Sequence, residues 1–109
     1  MYPWEDEKAR DQRKFQELYP LLARQIQPLV EEECDRMEYD GSFMFDEYPD
    51  KNLIQRQIFK IQDEVGNVSD NTGDPLESRT LQELIEMLLY HEMYRRRQRR
   101  RRFQRHFIY

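Results

Sequence analysis

Ile54, Ile58, Ile61 and Val65 recur at i, i+4, i+7 and i+11, and no stretch of the chain alternates apolar and polar residues over a useful length. At roughly 100° per residue the first pattern lines one face of a helix; without the second, a half-buried strand has no apolar side to bury. The same test picks out Leu22, Ile26, Leu29, Val30, Cys34 and Met37, and again Leu81, Leu84, Ile85, Leu88 and Leu89. The expected fold is all-α: a small three- to four-helix bundle with a long, Arg-rich C-terminal helix.

Local punctuation sets the boundaries. A first helix is expected from about Trp4 to Leu18, rich in good helix formers, with Pro3 in its first turn. A second runs from Pro20, at N1, to about Tyr39. Pro28 lies inside it, removing a donor and setting its ring against the carbonyl of residue 24; a kink follows, or two shorter helices meeting near Gln27. A third runs from Lys51 to Val65, with Asp50 as N-cap, Gly66 just past its end, and Leu53 and Phe59 widening its stripe. Asp74-Pro75-Leu76-Glu77 resembles a capping box that opens the fourth, with Thr80 and Glu83 as a second start. No Gly or Pro follows Pro75, so nothing stops this helix before the Arg run, and Phe103 and Phe107 extend an apolar stripe to its end.

The predicted core is Leu22, Ile26, Leu29, Val30, Met37, Ile54, Ile58, Ile61, Val65, Leu81, Leu84, Ile85, Leu88 and Leu89. It is thin: Leu, Ile, Val and Phe make up 25 of 109 residues, only slightly above the ~20% that accompanies disorder. The turn at Asp40-Gly41 opens a loop carrying Phe43, Met44, Phe45 and Tyr48. Either the loop folds back as a lid on that core, or Phe43, Phe45 and Tyr48 form an exposed aromatic anchor for a partner.

The net charge of −4 conceals a division along the chain. Residues 1–94 hold ten Lys or Arg and all 22 acidic residues, a net −12; residues 95–109 hold eight Arg and no acid, a net +8. Two parts are expected: an acidic helical domain over 1–94, and a basic helical tail over 95–109 continuous with the last helix. Segment four either projects its basic end beyond the bundle or lays it across the acidic face.

Arg95, Arg96, Arg97, Arg99, Arg100, Arg101, Arg102 and Arg105 are the candidate binding residues. Guanidinium groups stay charged and present planar forks that suit carboxylate and phosphate. In composition the run resembles the arginine-rich RNA-binding peptides of viral regulators over about eleven residues, which implies backbone contacts to structured RNA. Against that, the acidic body is itself a counter-charge, through Glu31, Glu32, Glu33, Asp35, Glu38 and Asp40, with Asp46, Glu47 and Asp50 nearby. A protein partner or homo-oligomer is therefore the first expectation and nucleic acid the second. An anionic membrane surface met by Phe103, Phe107, Ile108 and Tyr109 ranks below both.

Other chemistry lacks a pattern. His91-Glu92-Met93-Tyr94-Arg95 begins like the zinc motif His-Glu-x-x-His, but Arg stands where the second His belongs. Asp70 to Asp74 lacks calcium-loop spacing. Cys34 sits among Glu32, Glu33 and Asp35, which disfavour a thiolate. No catalytic, cofactor or metal residue is assigned, no small-molecule substrate is indicated, and the expectation is not an enzyme. The acidic N-terminal stretch Glu5-Asp6-Glu7 does not read as a secretion signal, which makes a soluble cytoplasmic protein the default.

Three stretches carry a resemblance of their own. They are Glu33-Cys34-Asp35-Arg36-Met37-Glu38-Tyr39-Asp40-Gly41-Ser42, then Phe45-Asp46-Glu47-Tyr48-Pro49-Asp50, then the Leu-rich helix entering the Arg run. Together they look like small uncharacterised proteins of anaerobic Gram-positive bacteria, over about half of the chain. The resemblance implies a bacterial cytoplasmic origin and brings no activity, cofactor or site. The functional expectation is thus a non-enzymatic interaction or assembly protein working by charge complementarity between acidic body and Arg-rich helix, with a nucleic-acid-binding accessory protein as the alternative.

Overall fold

In a computed structural model, the structure describes residues 3–16, 20–66 and 77–108, excluding the side chains of 3–5, 14–15 and 103–108. The protein is all-α. The described helices are α1 (Pro3–Gln16), α2 (Leu21–Met37), α3 (Lys51–Val65) and α4 (Ser78–Ile108), with one 3-10 turn at Phe43–Phe45. Trp4, Phe15, Leu18, the Asp74-Pro75-Leu76 start, Phe103 and Phe107 lie outside these descriptions, as does the Arg105 side chain.

The core forms where α2, α3 and α4 meet, each packed on the other two. Ile26, Val30, Cys34, Ile58, Ile61, Ile85 and Leu89 are sealed from solvent, each such side chain contributing ~1.5–3 kcal/mol. Leu22, Leu29, Val65 and Leu84, expected in the core, pack against its rim instead. Leu22 and Leu29 sit roughly 80–100° round α2 from its buried centre, a position taken by Val30 with Ala23, Cys34 and Met37 close on either side. Phe59 stands exposed, roughly 130° from the centre of the α3 stripe. On α4 the buried stripe does not stop at Leu89: it continues through Glu92, Met93 and Arg96.

α2 is one continuous helix across Pro28, so the pair of shorter helices is not what forms. Pro28 and Arg24 are both exposed, which leaves the carbonyl deprived of its donor on the solvent side, where water satisfies it. Asp50 caps α3 by accepting from the Asn52 amide at 2.8 Å, and Gly66 ends it at φ +71°, a backbone region suited to glycine. Gln62, near that end, donates to the Ser78 hydroxyl at 2.8 Å and accepts from Gln82 at 2.9 Å, joining the end of α3 to the start of α4.

The loop after α2 turns at Gly41, φ +85°, and Ser42 accepts from the Met44 amide at 3.2 Å. This turn drops Met44 into the core, with Phe43 and Phe45 half-buried beside it. Tyr48 alone stands out, 85% exposed. The loop is a lid, and of the three residues considered as an exposed anchor only Tyr48 faces solvent.

Candidate functional site

α4 carries its arginines on two faces. At roughly 100° per residue, Arg95, Arg96, Arg99 and Arg100 fall on the side that faces the bundle, whereas Arg97 and Arg101 fall on the opposite side. The first set meets Glu92 on α4 itself, the C-terminal end of α2 and the loop that follows it. The second set meets an open cleft.

The inward set is built around Glu92 and Arg96. Glu92 is wholly buried and Arg96 is 4% exposed. Arg96 Nε donates to Glu92 at 2.8 Å, its Nη1 reaches Asp35 at 2.6 Å and Glu38 at 2.9 Å, and its Nη2 donates to the Glu31 carbonyl at 3.3 Å. Glu92 also accepts from Arg95 at 2.5 Å and from Gln27 at 3.3 Å. Arg99 reaches Glu38 at 2.6 Å. Arg100 reaches Asp40 at 2.5 Å while lying 4.2 Å over the Phe45 ring, which ties the lid to α4. Burial pushes the Glu92 carboxyl up, but the hydrogen bonds and charges of Arg95 and Arg96 outweigh it and hold the group below its ordinary value. Burial opposes the charge of Arg96 too, and Glu92, Asp35 and Glu38 override it, raising its pKa.

Among the described residues, Asp35, Glu38 and Asp40 are the members of the acidic run expected as counter-charge whose carboxylates pair with Arg96, Arg99 and Arg100. Glu33 is buried and pairs with two exposed cations, Arg36 and, at 3.0 Å, Lys60, and Glu32 pairs with Arg36 at 2.6 Å. Glu92 was missed as an anchor, although its place four residues before Arg96 is the spacing that favours a Glu–Arg pair on a helix. His91, its neighbour, is exposed.

Cys34 lies against this centre. Its thiol is pushed up to about 12, chiefly by burial and then by the Glu92 charge, with Asp35 and Glu38 adding to the effect and Arg96 opposing it. The folded protein therefore keeps the neutral thiol where the unfolded chain, near 9, begins to ionise. The stabilisation is complete below about pH 9 and is lost as pH rises from there toward 12. We expect an aromatic disulfide reagent at pH 8 to modify Cys34 only as fast as the protein unfolds, and Cys34→Ala to flatten the alkaline fall in stability. Prompt modification of the native protein would contradict the burial.

The outward set borders a cleft of about 520 Å³ between the lid, the start of α3 and the second half of α4. Tyr48, Tyr90, Tyr94, Lys51, Arg97 and Arg101 line it, with Ile54 and Met93 among its other walls and Glu47 as its one lining carboxylate. Tyr94 is 63% exposed. The Tyr90 phenol is raised by partial burial and by its hydrogen bond to Glu86. Among the described residues no carboxylate comes within ion-pairing distance of Arg97 or Arg101. Arg102 is half-buried. The sequence names all eight arginines alike; the structure separates those that hold the fold from those on the cleft.

No group of three His, Cys, Asp or Glu able to hold a metal, and no helix long and apolar enough to cross a membrane, occurs among the described residues. Compared with known families, curated proteins and solved structures, the chain matches none.

Proposed function

We propose that this is a non-enzymatic interaction or assembly protein of the bacterial cytoplasm, which uses charge complementarity twice. Within the chain, Arg95, Arg96, Arg99 and Arg100 are neutralised by Glu92, Asp35, Glu38 and Asp40. Toward a partner, Arg97 and Arg101 remain, set among tyrosines on an open face. The observation that carries the reading is this division: among the described residues, two cations of the same run have no carboxylate within ion-pairing distance and lie beside exposed aromatic surface. Tyr and Arg are among the residues most enriched where partners dock, and carboxylates on a protein surface are one of the two anions that guanidinium forks pair with.

The division also selects the test. Removing everything after Tyr94 would strip Glu92 of both its arginines and unfold the body, so Arg97→Gln/Arg101→Gln is the informative variant. Sedimentation at 50 and 500 mM salt, and anisotropy of a labelled Glu-rich helical peptide, are the measurements. The wild type is expected to form a complex, with itself or with the peptide, that weakens at least tenfold over this range; the variant should lose most of that affinity while melting at the same temperature. A wild type that is monomeric throughout and binds no peptide would end the proposal.

A second reading, a nucleic-acid accessory protein, is favoured by one observation: three tyrosines and three cations share one cleft, the combination that stacks bases and follows phosphates on single strands. With Lys51, Arg97 and Arg101 as the phosphate contacts, the slope of log affinity against log salt is about −2, far below what eight arginines would give. The acidic body opposes this reading.

A further inference from the structure

The outward face of α4 reads Glu83, Met87, Tyr90, Tyr94, Arg97, Arg101, at spacings of 4, 3, 4, 3 and 4. These six residues fall within roughly 80° of arc, close to opposite the buried stripe. Glu83, Met87, Tyr90 and Tyr94 are exposed, Met87 by 64%. It is the position set of a coiled-coil seam on the solvent side of a helix already buried on its other side. The spacing is symmetric about residue 92. An antiparallel copy of the same helix would therefore bring Tyr90 onto Tyr94 of its mate and lay Met87 along the aliphatic stem of Arg97. Glu83 would then come opposite Arg101. Glu86, half-buried beside Tyr90, would come near Arg97.

From this we propose that the partner is a second copy of the chain, docked through an antiparallel, two-fold-symmetric pairing of α4 with α4. The inference rests on the reading above and names its partner. Charge decides the orientation. In a parallel pair each seam residue meets its own counterpart, so Glu83 would face Glu83 and Arg97 and Arg101 would face themselves, whereas the antiparallel pair turns these contacts into attractions. The seam is about 27 Å long, with apolar and aromatic residues at its middle and charge at both ends. A two-fold interface needs a surface complementary to itself, and this stripe has that property. The cleft is part of the same arrangement: its Lys51, Arg97 and Arg101 receive the acidic first half of the other α4, which carries Glu83 and Glu86.

Charge exchange tests this on the full chain. Sedimentation velocity from 10 to 300 µM in 50 mM salt should show a monomer–dimer equilibrium. Glu83→Lys alone and Arg101→Glu alone should each raise the dissociation constant more than tenfold, by setting like charges together twice per dimer. Glu83→Lys/Arg101→Glu should restore it to within a few-fold, as should mixing the two single variants. Both positions are exposed, and unchanged melting temperatures would confirm that folding is untouched. A dimer indifferent to the single changes would overturn the register. A chain monomeric at 300 µM that binds the Glu-rich peptide through Arg97 and Arg101 would overturn the dimer and leave the interaction reading standing. One that binds a single-stranded oligonucleotide there would replace both with the nucleic-acid reading, and one that binds nothing would remove all three.

Discussion

Arg96→Ala is expected to cost about 3–5 kcal/mol, the effect of breaking a buried ion pair by removing one partner. The reason is the state in which it leaves Glu92. That carboxylate has no solvent exposure, so it cannot recover water in place of the lost guanidinium. It would keep Arg95 and Gln27, while Asp35 and Glu38 would face one another without the cation between them. A domain of this length has a total stability of about 5–15 kcal/mol, so the variant would approach the limit of folding and melt lower by more than about 10 °C.

The companion variant removes both charges. Glu92→Leu/Arg96→Met fills the same space without a buried ion and should lie within about 1–2 kcal/mol of the wild type. Urea titration of the wild type, the two single variants and the double gives the coupling directly. Additive losses would mean that the pair holds nothing together. The acid limb supplies an independent check. Because the folded Glu92 carboxyl lies below its ordinary value, its stabilisation is fully present at neutral pH. It fades as pH falls from the ordinary carboxylate range, about 4.3, through the lower folded value. The double variant should lose less stability over that interval than the wild type.

How far the sequence reaches follows from the same residues. α3 is legible from end to end because each of its signals is local: Asp50 before it, Gly66 after it, and an isoleucine stripe within it. The rim positions are harder to read. Leu22 and Leu29 have the chemistry of core residues, but two neighbouring helices decide which arc of α2 is covered, and that arc is centred on Val30, between Ala23 and Met37. Periodicity finds a face and leaves its midpoint open by a residue or two.

The Arg run shows a deeper limit. Composition presents one block of positive charge, and a helix divides such a block by angle. Arg96 and Arg97 are neighbours in sequence; one is buried and holds α2 to α4, and the other borders a cleft. Had the buried stripe been followed past Leu89 at the same period, it would have reached Glu92, Met93 and Arg96. Each polar residue of that continuation has the length and charge to complete the other. The extension looks unpromising in one dimension because buried charge is costly, and only the three-dimensional meeting with Asp35 and Glu38 makes it affordable.

Met44→Ala should cost about 2–5 kcal/mol, whereas Tyr48→Ala, four residues on, should change stability by no more than about 0.5 kcal/mol. The contrast follows from the lid. Met44 is fully enclosed by the core, and its loop is fixed by the Gly41 turn, by the Ser42 hydroxyl beneath the Met44 amide, and by Arg100 lying between Asp40 and the Phe45 ring. With so many points of attachment the loop cannot collapse into the space the side chain leaves, and a cavity that fails to collapse gives the larger losses. Tyr48 has no such enclosure: it stands largely in solvent at the edge of the cleft. If its ring belongs to a docking face, as the cleft implies, Tyr48→Ala should weaken self-association while leaving the melting curve in place, and Met44→Ala should lower the melting temperature while a folded fraction still pairs normally. Thermal denaturation and sedimentation of the two variants side by side separate these effects. Equal losses of stability would mean that Tyr48 is core after all, and a stable Met44→Ala would mean that the lid does not close.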